Sequence, residues 1–212
     1  GLNGFKYKHN LILNAGNSGT LGRLILGLLV HSKKKIQLKG DKSLSKRDFL
    51  RVIKPLRKFG AKFDSNYGKL PIKIQGTNYS KPIKYVEDKG SAQCKSAVMF
   101  AALNTLGETI IKAKKSRDHS ELLFKHLKLP IKIIKRDNFD IIKIRGMHNI
   151  PALNYNIPSD ISSAAFFIVL TALTKNSSLK IRNVNINPSR IGVLSILKIM
   201  GIKILRSNVK NY

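Results

Sequence analysis

The stretch Arg51-Val-Ile-Lys-Pro-Leu-Arg-Lys-Phe-Gly-Ala-Lys-Phe63 decides the fold, because its pattern occurs three times. Glu121-Leu-Leu-Phe-Lys-His-Leu-Lys-Leu-Pro-Ile-Lys-Ile133 repeats it 70 residues later, and Gly192-Val-Leu-Ser-Ile-Leu-Lys-Ile-Met-Gly-Ile-Lys-Ile204 a further 71 residues on. In each copy apolar residues at helical spacing run into Gly or Pro and then into a strand start. That is the signature of a helix C-terminus feeding a strand. Self-similarity at a fixed period marks a repeat architecture, in which one unit cannot cover its own apolar surface and must pack on its neighbours.

Working outward, a second set of helices has the same period: Ser18–Val30, Ser91–Leu103 and Ser162–Leu173. These are apolar nearly all round, which predicts burial. Each is followed by a β-rich run, Ile36–Lys39, Thr109–Lys112 and Leu179–Arg182. Alternating segments such as Leu70–Gln75 and Asp140–Arg145 read as further strands. Each unit is thus helix, strand, helix, strand, strand, with a strand leading in. The stretch Asn154–Ser159 has turn character, and a domain crossover is placed there. The first residues and the segment Lys203–Tyr212 both read as strand patterns cut short, so an internal section of a longer protein is expected.

Lys and Arg number 40 against 11 Asp and Glu, a formal charge of +29. Clustered cations would suit a nucleic-acid backbone. Here the cations are spread along the whole chain beside abundant Ile and Asn, and no RNA-binding aromatic motif, zinc finger or homeodomain pattern is present. A compositional bias is the favoured reading, together with a positive site for small, multiply anionic substrates. The one cysteine, Cys94, excludes an internal disulfide framework and a thiolate cluster, and reads as a small core residue. No apolar run reaches the ~18 residues of a membrane span. His/Cys/carboxylate groupings with metal spacing and Gly-rich nucleotide loops are lacking.

The candidate chemistry lies at helix starts. Asn17-Ser-Gly-Thr20, Gly90-Ser-Ala-Gln93 and Ser159-Asp-Ile-Ser-Ser163 open the first helix of each repeat. Such residues cap a helix and leave amide N–H groups at the positive end of its dipole, where an anion can bind. The second-helix starts each carry an arginine, Arg47, Arg117 and Arg190, again about seventy residues apart. Arg grips phosphate or carboxylate bidentately. Either feature alone is ordinary capping or a solvated side chain; recurrence in register points to a ligand with several anionic groups. His119, within Ser116–Glu121, reads as part of a structural hydrogen-bonding network. His31, His126 and His148 read as isolated and exposed.

These motifs resemble those of the 5-enolpyruvylshikimate-3-phosphate (EPSP) synthases. Asn17-Ser-Gly-Thr-Leu-Gly-Arg23 is similar to that family's Asn-x-Gly-Thr-x-x-Arg. Gly40-Asp-Lys-Ser43, Ser91-Ala-Gln-Cys-Lys95 and Arg117-Asp-His-Ser-Glu121 look like motifs of its class II, glyphosate-tolerant type. Ser45-Lys-Arg47 also matches. Asn187-Pro-Ser-Arg190 has Ser where Thr is usual, and Pro158-Ser-Asp-Ile-Ser-Ser163 has Ser159 where Gly is usual. The matches run in order across essentially the whole chain.

The resemblance implies a mixed α/β fold of repeated βαβαββ units, the enolpyruvyl transferase fold, with buried helices and sheets outside. Residues 1–157 would be two repeat units of one domain, its opening unit missing. Residues 158–212 would be the truncated first part of a second domain. The implied reaction moves the enolpyruvyl group of phosphoenolpyruvate to the 5-hydroxyl of shikimate 3-phosphate with release of phosphate, without metal or organic cofactor. Asn17, Gly19, Thr20, Arg47 and Gln93 would serve phosphoenolpyruvate; Ser91, Ala92, Gln93 and Arg117 would serve shikimate 3-phosphate. The family's catalytic lysine and its acid/base carboxylates have no counterpart within the chain, so it is expected to be inactive alone. A cytoplasmic monomer when full length, engaging neither membrane nor nucleic acid, completes the expectation. The rivals are the sister transferase acting on UDP-N-acetylglucosamine, whose reactive loop cysteine Cys94 matches poorly, and a basic nucleic-acid-binding protein.

Overall fold

A computed structural model of the chain describes residues 11–146, 150 and 152–209. Two compact units divide it: the first runs to Ala152 without residues 117–119, and the second comprises those three residues with Leu153 onward.

The first unit contains two copies of one motif. β1 (Leu11–Asn14), α1 (Gly19–Leu29), β2 (Lys35–Lys39), α2 (Lys42–Ser45), α3 (Leu50–Lys58), β3 (Lys62–Asn66) and β4 (Lys69–Gln75) form the first. β5 (Lys84–Glu87), α4 (Ala92–Ala102), β6 (Glu108–Lys114), α5 (His119–His126, all but its first residue), β7 (Ile131–Lys135) and β8 (Phe139–Arg145) form the second. The strand orders are β1-β2-β4-β3 and β5-β6-β8-β7, so the topology itself repeats. In each sheet the leading strand pairs parallel with the next, and the other pairings are antiparallel. The parallel pair requires a crossover, which α1 and α4 supply.

Alternation sets the faces of the sheets. β4 exposes Lys69, Pro71, Lys73 and Gln75 and buries Leu70, Ile72 and Ile74. Its lysines therefore stay in water while one apolar face covers the helices. One continuous core joins Leu26, Phe49, Ile53 and Ile72 of the first repeat to Ala97, Met99, Ile111 and Ile142 of the second. In this unit α4 is almost wholly buried, α3 and α5 bury one face each, and the sheets lie outside, as expected for this fold class. α1 and α4 make direct backbone contact: a Cβ at Gly27 would stand 2.1 Å from the Ala97 carbonyl oxygen. Only glycine allows that approach.

The second unit contains α6 (Ile161–Leu173) and α7 (Gly192–Ile199) around a small core of Ile161, Ala164 and Leu194. Three expectations fail here. Leu179–Arg182 is not a strand, and neither is the described part of Lys203–Tyr212; the only β pairing in this unit among the described residues is the Ser159–Val184 bridge. A strand pattern forms a strand only beside a partner that takes its hydrogen bonds. α6 is also not buried as predicted. Phe166, Phe167, Leu170 and Leu173 are all exposed, because the unit supplies too little apolar surface to enclose a helix that is apolar all round.

Candidate anion-binding site

Three side-chain caps shape the first-helix starts. Ser18 Oγ accepts from the Leu21 N–H and Ser91 Oγ from the Cys94 N–H, and in the second unit the Asp160 carboxylate accepts from the Ser162 N–H. Capping uses one amide at each start and leaves the others unpaired within the helix. The second-helix starts differ from the expected pattern. Arg47 does not open the long helix: it follows α2, a separate one-turn helix capped by Asp41, and α3 begins only at Leu50. Asp41 can hold a turn of its own because its Oδ1 takes the Leu44 N–H at 2.7 Å.

In the first unit the predicted residues converge where α1 and α4 begin. Thr20 and Gln93 occupy equivalent places in the two repeats, each two residues after its capping serine. They bond to each other, Gln93 Nε2 donating to Thr20 Oγ1 at 2.7 Å. Gln93 Oε1 accepts from Arg23 Nη1 at 3.0 Å. The same Nη1 reaches the Gly19 carbonyl at 3.2 Å, Nη2 reaches the Asp48 carbonyl at 3.2 Å, and the guanidinium stacks 4.8 Å over the Phe49 ring. Arg23 is therefore held by the protein and acts as a frame, whereas Arg47 is exposed.

Gly19 is what lets both arginines close in. A Cβ there would lie 2.7 Å from Arg23 Nη1 and 3.1 Å from Arg47 Nη1. With no side chain in the way, the buried glycine's backbone faces two guanidinium groups. An N–H-rich helix start under two cations suits a phosphate or carboxylate. The loop leading in is fixed by Asn17, whose Nδ2 donates to Asp41 Oδ2 at 2.5 Å, and by the Asp41 N–H, which donates to the Gly16 carbonyl at 2.9 Å. The Leu44 N–H, and after it the Asn17 amide, hold the Asp41 carboxyl below its ordinary pKa. It stays ionised at neutral pH as a structural anchor.

Ser91 and Ala92 stand half-buried at the start of α4, beside Gln93. Arg117 is exposed and falls in the second unit, as does Arg190, which bonds Asp160 at 3.2 Å and also the Ser162 hydroxyl. In the same unit Asn187 Nδ2 donates to Asp118 Oδ1 at 2.9 Å. Arg190 is thus paired with the residues that open α6.

Of the histidines, His126 is exposed and His148 lies outside the described residues. Burial lowers the His119 pKa, with Asp118 opposing it. His31 departs from expectation: it is half-buried, its Nε2–H donating to the Ala101 carbonyl at 2.9 Å, and burial lowers its pKa. Cys94 is buried as predicted. Lys95 pairs with Glu121 at 2.5 Å, both side chains nearly fully buried.

Sequence reasoning missed Arg23, Asp41 and Glu87 as supports. Arg23 and Asp41 were visible as members of quoted motifs. Glu87, whose carboxylate takes the Ser91 N–H at 2.7 Å, had no sequence signal at all. Among the described residues no group of His, Cys, Asp and Glu could hold a metal ion, and no helix is long and apolar enough to cross a membrane.

The family model of EPSP synthase (3-phosphoshikimate 1-carboxyvinyltransferase) matches residues 1–212. A 3-phosphoshikimate 1-carboxyvinyltransferase of Ruthia magnifica subsp. Calyptogena magnifica is 46% identical over 209 residues, covering 98% of the chain and 47% of the relative. That of Caldicellulosiruptor bescii is 44% identical over 203 residues, covering 94% and 47%. The structure of EPSP synthase from Acinetobacter baumannii superposes with a TM-score of 0.80 at 39% identity, over 95% of this chain and 45% of that one. The chain spans about half the length of the curated relatives it matches.

Proposed function

The chain belongs to the EPSP synthase family, and from that premise we propose that it is an internal section of a 3-phosphoshikimate 1-carboxyvinyltransferase. The reaction joins the 5-hydroxyl of shikimate 3-phosphate to the enol carbon of phosphoenolpyruvate and then eliminates phosphate. The observation that carries the reading is the interlocked pair of helix starts, where Gln93 of one repeat bonds Thr20 of the other beside Gly19 and two arginines.

In this reading Arg47 grips an anionic group of phosphoenolpyruvate, and the Gly19 N–H binds another. Asn17 and Thr20 keep the Gly19 loop in shape. Ser91, Ala92 and Arg117 receive shikimate 3-phosphate. Gln93 touches both substrates: its amide already spans Thr20 and Arg23 and still has one N–H to offer. Both substrates are polyanions, so the positive charge of the chain favours their capture. The groups that move protons belong to parts of the enzyme outside this chain. Residues 1–157 belong to one domain and 158–212 begin the other. The complete enzyme is a cytoplasmic monomer.

The test is phosphate release from phosphoenolpyruvate and shikimate 3-phosphate. The full-length enzyme should turn over and the 212-residue chain alone should not. A full-length enzyme that ignores shikimate 3-phosphate but accepts UDP-N-acetylglucosamine would reassign it to the sister activity. Salt-dependent duplex binding without response to either substrate would favour the nucleic-acid reading.

A further inference from the structure

Glu87 ends β5 and is 2% exposed. Its Oε2 accepts the Ser91 N–H at 2.7 Å, and its Oε1 accepts the Lys89 N–H at 3.3 Å. Arg51, from α3 of the preceding repeat, places Nη2 3.0 Å from the same Oε1. A single buried carboxylate thus gathers two amides of the loop that leads into α4, with a cation brought across from the other repeat. Gly90, at φ +67°, makes the turn between those two amides. Burying a carboxylate is costly unless it is paired and hydrogen-bonded. Here its partners are the loop amides and Arg51, so the loop has one shape in which the cost is offset.

We propose that Glu87 and Arg51 are positioning residues for substrate at the start of α4. Glu87 fixes the loop that presents Ser91, and Arg51 cancels a negative charge that would otherwise oppose a bound phosphate dianion. The proposal rests on the reading that Ser91 and Gln93 receive shikimate 3-phosphate. The carboxylate alone would shape the loop but repel the ligand; the guanidinium alone would attract the ligand but leave Ser91 unheld. Arg51 keeps half its side chain exposed, so its charge is partly screened by solvent, whereas that of Glu87 is not.

The experiment compares Arg51→Met, Arg51→Lys, Glu87→Leu and the double variant Arg51→Met/Glu87→Gln in the full-length enzyme. Arg51→Met should raise the KM for shikimate 3-phosphate by about tenfold, with kcat and the KM for phosphoenolpyruvate moving less than about threefold. Arg51→Lys should recover most of the loss, and the double variant should bind better than Arg51→Met because the unneutralised carboxylate is gone. In Glu87→Leu the Ser91 amide should exchange with solvent at least about tenfold faster. The proposal is overturned if Arg51→Met leaves the shikimate 3-phosphate KM within about twofold of the parent, if both substrates' KM values rise equally, or if the double variant is no better than the single. Should the parent enzyme not use shikimate 3-phosphate, the functional reading fails by itself, and unchanged Ser91 exchange in Glu87→Leu would then remove the loop-holding role as well.

Discussion

Gly27→Ala tests the interlocking of the two repeats directly. The added Cβ would sit 2.1 Å from the Ala97 oxygen, 2.9 Å from its carbonyl carbon and 3.0 Å from its Cα, all backbone atoms that cannot rotate away. Carbon and carbonyl oxygen need roughly 3.3 Å, so α1 and α4 must part by about 1 Å. A gap of that size forfeits about a quarter to a half of the dispersion energy along the seam. Overpacking costs ~1–3 kcal/mol, here about 2–3 kcal/mol because the clash is with backbone that cannot rotate away, and alanine's better helix propensity returns ~1 kcal/mol. The net loss is about 1–2 kcal/mol, or a fall in Tm of roughly 2–8 °C for a domain of this size. The same displacement would stretch the 2.7 Å Gln93–Thr20 bond beyond hydrogen-bonding range, so substrate affinity should fall with stability. Thermal melts followed by circular dichroism, with Gly192→Ala as control, decide it. Gly192 has nothing within 4 Å of its would-be Cβ and should tolerate the change. A Gly27→Ala chain as stable as the parent would refute the claim that backbone contact sets the helix spacing.

Lys95→Met leaves Glu121 buried beside a thioether and should cost ~3–5 kcal/mol, read from the urea midpoint. Lys95→Met combined with Glu121→Leu should regain most of it; a double variant as unstable as the single would show that the pair is not the cause. Because burial lowers the His31 pKa, the unfolded chain binds the proton more readily than the folded one. The contribution of His31 is full above the unfolded value of about 6.5 and shrinks as pH falls below it toward the folded value. His31→Gln should therefore flatten the loss of Tm between about pH 7 and 5.5, and an unchanged pH slope would exclude the residue as its source. In the full-length enzyme Arg117→Ala should weaken shikimate 3-phosphate binding by ~2–5 kcal/mol, and a calorimetric affinity equal to the parent's would remove Arg117 from that site.

In the first unit the seventy-residue period, the βαβαββ order and the burial of α4 were legible along the chain, because periodicity and turn chemistry are local properties that each repeat states again. The candidate residues at helix starts were legible for the same reason: Ser18, Ser91 and Asp160 cap wherever their helices go. Local patterns misled where a partner was needed. Leu179–Arg182 has strand character but no strand beside it among the described residues, and α6 is apolar on every side yet exposed. His31 looked isolated because Ala101 is 70 residues away.

By itself the sequence determined the repeat and the fold class, and it pointed to helix starts suited to an anionic ligand, since apolar spacing, capping residues and the recurrence of arginine all act within a few neighbouring residues. Tertiary structure alone decided which cations face the site and which serve as frame. Arg23 is tied to Gln93, Asp48 and Phe49 while Arg47 stays exposed, although each stands a few residues after a capping side chain, Ser18 or Asp41. It also decided that Glu87 reaches Ser91 and Arg51 together. Those pairings span up to 70 residues and depend on two repeats meeting at the Gly27–Ala97 seam, a spacing that no local pattern encodes.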